Sequence, residues 1–61
     1  MDQEALNMSI RKFLKMVGVS SQREIEQAAQ KAAGSGFAVK MTLEIPSLGV
    51  KVPFDGEIKL K

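Results

Sequence analysis

The 61-residue sequence contains no cysteine, histidine, tryptophan or tyrosine. Without cysteine there is no disulfide to staple a small fold, and without cysteine or histidine the common zinc sites are excluded. The usual general base of hydrolytic and nucleophilic catalysis is missing with histidine. Only three phenylalanines represent the aromatics, too few for a platform that stacks single-stranded bases. Two prolines and five glycines punctuate the chain. No apolar run approaches the roughly 20 residues of a membrane helix, so no membrane association is expected. The N-terminal MDQEALNMSI starts acidic and has no apolar core, unlike a secretory signal. A cytoplasmic protein is therefore expected.

What is present is a chain with 44% hydrophobic residues, 26% charged residues and a net charge of +2. Arg11, Lys12, Lys15, Arg23 and Lys31 are offset by Asp2, Glu4, Glu24 and Glu26 in residues 1–34. Lys40, Lys51, Lys59 and Lys61 are offset by Glu44, Asp55 and Glu57 in the remainder. Neither half forms a basic arm or an acidic tail. One small domain over residues 1–61 is the expectation. A chain of this size buries only about 60% of the surface its unfolded form exposes, which leaves it marginal alone.

The hydrophobic period changes near Gly34. Leu6, Ile10, Phe13, Leu14 and Val17 recur at helical spacing, with Asp2 placed to cap the start and Glu4 suited to the positive end of the helix dipole. Gly18 followed by Val19 resembles a left-handed helix ending, with Leu14 in the last turn. Ser21-Gln22-Arg23-Glu24 has the form of a capping box. A second helix with the inner face Ile25, Ala28, Ala29 and Ala32 is therefore expected, running into a hinge at Gly34-Ser35-Gly36. From there the period is two. Val39, Met41, Leu43 and Ile45 alternate with polar residues, Pro46 to Gly49 reads as a turn, and Val50 and Val52 resume the alternation. Asp55-Gly56 reads as a second turn, with Phe54 in it. The first hairpin is expected to pair Ile45 with Val50, Glu44 with Lys51 and Leu43 with Val52. The second is expected to pair Val52 with Ile58 and Val50 with Leu60.

The expected fold is thus α+β: two antiparallel helices packed on one face of a three-stranded antiparallel meander (ααβββ). Helices are expected over 3–17 and 21–33, a hinge over 34–36, and strands over 38–45, 50–53 and 57–60. The helical core residues and the apolar strand residues would face each other. Lys40, Thr42, Glu44, Lys51, Pro53, Lys59 and Lys61 would form the outer face.

Several groups of residues invite a functional reading, and each has an ordinary alternative. Arg11, Lys12 and Lys15 form with Met8 a stripe on one side of the first helix. That stripe suits phosphate or an acidic partner, yet three positive charges are also common on a solvated helix. The helix, Gly-Val-Ser, helix pattern resembles a helix-turn-helix DNA reader, with Gln22, Arg23, Gln27 and Lys31 as candidate nucleic-acid contacts. Leu14 stands where that motif has a small residue, Glu24 where it has an apolar one, and a third core helix is missing. Glu24 and Glu26 lie two apart on different helix faces, so no carboxylate pair is placed to share a proton. Ser20, Ser21 and Ser35 have no base to activate them. No catalytic, metal-binding or cofactor-binding residue is identified, no small-molecule substrate is evident, and no enzyme is expected.

The segments Glu4-Ala5-Leu6-Asn7-Met8-Ser9-Ile10-Arg11-Lys12-Phe13-Leu14-Lys15 and Val17-Gly18-Val19-Ser20-Ser21-Gln22-Arg23-Glu24-Ile25-Glu26 resemble a family of very short, uncharacterised bacterial proteins. The likeness runs the full length and is weaker in the second half, which includes Asp55-Gly56-Glu57-Ile58. It implies a stand-alone bacterial protein and assigns no functional residue, because the family is a domain of unknown function. The expected role is a non-enzymatic module that works by self-association as a homodimer or by binding another protein. A nucleic-acid binder is the alternative. Two unpaired sheet edges and the small alanines of the second helix are the surfaces that invite a second copy.

Overall fold

The computed structural model describes residues 1–61. Its elements are one helix, α1 (Gln3–Ala29), a strand β1 (Gly36–Ile45), a short 3-10 turn (Pro46–Leu48) and a strand β2 (Val50–Lys59). They fall into two compact units, Met1–Lys31 and Ala32–Lys61.

In the first unit, Asp2 begins the helix as expected. Its Oδ1 accepts hydrogen bonds from the backbone N–H of Glu4 at 3.0 Å and of Ala5 at 3.3 Å, satisfying two donors that the first turn leaves free. Glu4 adds an acidic side chain to the positive end of the helix. From there α1 runs 27 residues without interruption, about 40 Å at 1.5 Å per residue. The expected break at Gly18 is absent: Gly18 does not take a positive φ, and Ser21 lies inside the helix rather than at its start. The physical reason is a comparison of costs. A glycine in a helix interior costs about 1 kcal/mol relative to alanine. Ending one helix and starting another would strip carbonyls and N–H groups of their partners on both sides of the break. The inward stripe also stays in phase across the seam, because Val17, the small and partly buried Ser21, Ile25 and Ala28 follow at steps of 4, 4 and 3. The helix ends earlier than expected, at Ala29, with Gln30 as its cap. Gly34, at φ 91°, lies in the link to β1.

In the second unit, β1 and β2 form a two-stranded antiparallel sheet. The three expected pairs nearest the turn are present: Ile45 opposite Val50, Glu44 opposite Lys51 and Leu43 opposite Val52. Gly49 closes the turn in the left-handed conformation (φ 66°, ψ 29°) that suits glycine, and its N–H donates to the Pro46 carbonyl at 3.3 Å.

The expected third strand does not exist. β2 continues straight through Asp55-Gly56, and Gly56 has no positive φ. Met41 therefore stands opposite Phe54, Lys40 opposite Asp55, Val39 opposite Gly56 and Phe37 opposite Ile58. A turn at Asp55-Gly56 would have left the first half of β1 without a partner. The straight strand gives all ten β1 residues a cross-strand neighbour. The chain is thus a small α+β structure of one helix and one hairpin, not two helices on a three-stranded meander.

No residue of the chain is fully buried. Along α1, only Val17, Ser21, Ile25 and Ala29 are partly buried.

Candidate functional site

The hairpin is a ribbon with two chemically distinct faces. Side chains directly opposite each other in an antiparallel pair share a face, and successive residues alternate. One face therefore carries Phe37, Val39, Met41, Leu43 and Ile45 from β1, against Ile58, Gly56, Phe54, Val52 and Val50 from β2. Every position is apolar or glycine. The other face carries Lys40 opposite Asp55, Glu44 opposite Lys51, Thr42 opposite Pro53, Ala38 opposite Glu57 and Gly36 opposite Lys59. Two of these pairs match opposite charges. The apolar face extends about 26 Å along β1, from Phe37 to Ile45, at roughly 3.3 Å per residue. It is open to solvent over its middle: Phe54 is 56% exposed and Met41 44%.

The hydrogen-bond phase of the ribbon follows from its open end. The Leu60 N–H donates to the Ser35 carbonyl at 2.8 Å. In an antiparallel ladder, bonded and non-bonded pairs alternate. The bonded pairs are therefore those of the apolar face, from Phe37 with Ile58 to Ile45 with Val50. Residues 36, 38, 40, 42 and 44 of β1 turn their backbone groups outward, as do residues 51, 53, 55, 57 and 59 of β2. Pro53 falls in the second set. Its missing N–H costs the hairpin nothing and interrupts the outer edge of β2 near the turn.

Helix α1 carries a second apolar surface. Leu6, Ile10, Phe13 and Leu14 lie on one side, with Phe13 50% and Leu14 56% exposed. Arg11, Lys12 and Lys15 are brought together on a different side, where with Met8 and Ser9 they line an open surface depression. All three cations are exposed. Gln22, Arg23 and Gln27 lie on the C-terminal part of α1, and Lys31 lies beyond its end. Arg23 and Gln27, four residues apart, share a face of α1, and Gln22 lies about 100° round from Arg23. The Gln22 amide donates to the Glu26 carboxylate at 3.0 Å. The turn that a helix-turn-helix needs is not there, since Gly18-Val19-Ser20 is helical.

No three acidic side chains gather in a way that would hold a metal ion. A second open depression, at the free end of the hairpin, is lined by Ser35, Phe37, Glu57 and Lys59 among others. No helix is long and apolar enough to cross a membrane. Sequence reasoning notes that Pro53 lacks a ladder donor and that Lys40 and Glu44 alone guard β1; what it missed is the hydrogen-bond phase, which turns the Pro53 nitrogen outward.

The chain belongs to the family of unknown function DUF6494, which matches it over residues 1–61. No curated protein and no solved structure matches it.

Proposed function

We propose that this member of a family of unknown function is a non-enzymatic self-association module whose working form is a homodimer in the bacterial cytoplasm. The observation that carries the proposal is a hairpin face composed wholly of apolar residues and glycine, in a chain that buries no residue fully. Apolar surface left in water is the main unspent driving force available to a small protein. A second copy is the occupant favoured by composition, because a net charge of only +2 sets up little repulsion between like chains. The lack of cysteine accords with a reducing compartment.

Sedimentation equilibrium from micromolar to millimolar concentration tests the reading. The expected mass is twice that of the 6.7 kDa chain. A single-chain mass that holds across the whole range would overturn it. A mass that doubles only when another protein is added would assign the surface to that partner instead.

A further inference from the structure

We infer that the second copy adds at the outer edge of β1, antiparallel and centred on Thr42, so that the two hairpins become one four-stranded sheet in the order β2-β1-β1-β2; this rests on the self-association reading above. The two edges of the hairpin are not equivalent. The β2 edge has Pro53 at one of its five outward positions, second from the turn, where no donor exists, and Lys51, Asp55, Glu57 and Lys59 occupy the other four. The β1 edge offers an unbroken set of outward N–H and C=O groups at Gly36, Ala38, Lys40, Thr42 and Glu44. A partner strand can therefore bond along the whole of β1, whereas along β2 it meets a missing donor at Pro53 and a charge at every other outward position. Two copies joined through β1 leave only the interrupted edges outside, which closes the assembly at two.

The register follows from charge. Bonding requires that residues of the outward set face one another, which leaves a few two-fold arrangements. Centring on Lys40 would set it opposite Lys40 of the second copy, a like-charge pair. Centring on Met41 would set Lys40 opposite Thr42 and Ala38 opposite Glu44, with no matched charges. Centring on Thr42 sets Lys40 opposite Glu44 of the second copy, and Glu44 opposite its Lys40. The polar face then reads, across four strands, Asp55, Lys40, Glu44, Lys51: negative, positive, negative, positive. The two-fold repeats that row in reverse. On the other face Met41 meets Leu43 and Val39 meets Ile45, so the apolar surfaces of the two hairpins join into one.

Three substitutions in the full chain test the inference, and the absence of native cysteine makes each introduced thiol unique. Thr42→Pro removes a donor that the hairpin itself does not use, as Pro53 does on the opposite strand. It should leave the circular dichroism of the hairpin in place and reduce self-association at least tenfold. In Thr42→Cys, the two thiols would lie on a bonded pair with Cα atoms about 5.5 Å apart, within disulfide range. Mild oxidation should link the copies. Lys40→Cys should not link, because its two copies are offset by four residues, roughly 13 Å along the strand. Linking at Lys40→Cys in place of Thr42→Cys would overturn the register. A wild-type dimer that persists in a folded Thr42→Pro variant and resists both cross-links would overturn the edge and leave self-association standing. A wild-type chain that sediments as one copy removes both readings. If Thr42→Pro does not fold, the two cysteine variants decide.

Discussion

Replacing Gly18 with alanine decides between an uninterrupted helix and a helical hairpin, because the two predict opposite signs. In α1, Gly18 is exposed, and a Cβ placed on it meets no atom within 4 Å. Its φ is not positive. The substitution therefore removes a helix-interior glycine without strain or collision, a gain of about 0.8–1 kcal/mol. The position magnifies the effect. Gly18 divides α1 into 15 residues before it, Gln3–Val17, and 11 after it, Val19–Ala29. Isolated helices shorter than about 12–15 residues are marginal in water, so an interruption here would leave two weak pieces. If Gly18 instead ended a helix in the left-handed region, a Cβ would cost about 1–2 kcal/mol.

Urea unfolding followed at 222 nm is the assay. With a slope of about 1 kcal/mol per molar urea for a chain this small, the midpoint should rise by a little under 1 M. The starting helical signal should rise or hold. A midpoint that falls by a similar amount, with an unchanged slope, would refute the continuous helix and restore the two-helix reading of residues 17–24.

Two other glycines give opposing outcomes within the hairpin. Gly56→Thr should stabilise it by about 0.5–1 kcal/mol, because position 56 lies in extended backbone opposite Val39 with open space around the Cβ; a thermal midpoint that drops would mean that Asp55-Gly56 turns after all. Gly36→Ala should destabilise it by about 1–3 kcal/mol, because the new Cβ would run into the backbone carbonyl of Ile58 across the ladder. Amide exchange at Ile58 and Leu60 should then quicken, and unchanged protection there would show that the open end of the sheet is looser than the structure has it.

The parts of the fold legible in the sequence were those where local signals and long-range partners agree. Asp2 had a capping side chain and nothing competing for it. Pro46 to Gly49 joined two alternating runs whose residues paired correctly in apolar and charged character, so the turn and its three adjacent pairs could be read directly. The misreadings came from strong local signals that longer-range terms overrode. Gly18 and the Ser21–Glu24 box are helix stop and start patterns, but each is worth only about 1 kcal/mol. The phase of Val17, Ser21, Ile25 and Ala28 was the better evidence, and it ran straight through. Asp55-Gly56 is a strong turn dipeptide, yet Phe37 to Lys40 needed partners that only a straight β2 could supply. For the candidate site, Arg11, Lys12 and Lys15 lie together on one side of α1, where their spacing puts them. The edge polarity of the hairpin was hidden because it depends on hydrogen-bond phase, which the side-chain pattern does not state until the register is known.

The uneven treatment of the two edges is the observation that favours the proposed association at β1. Proteins that must remain single protect both edges of a small sheet with charges, proline or short strands. Here the protection is one-sided. On β2 all four outward residues other than Pro53 are charged. On β1 only Lys40 and Glu44 are charged, they differ in sign, and Thr42 lies midway between them. Two residues on either side of Thr42 is the spacing at which a two-fold axis turns a guarding pair into a complementary one. The same two charges also match Asp55 and Lys51 within the hairpin. In the proposed dimer, Lys40 and Glu44 would serve both ladders without a like-charge contact. An edge designed only to repel would need the same sign at both positions.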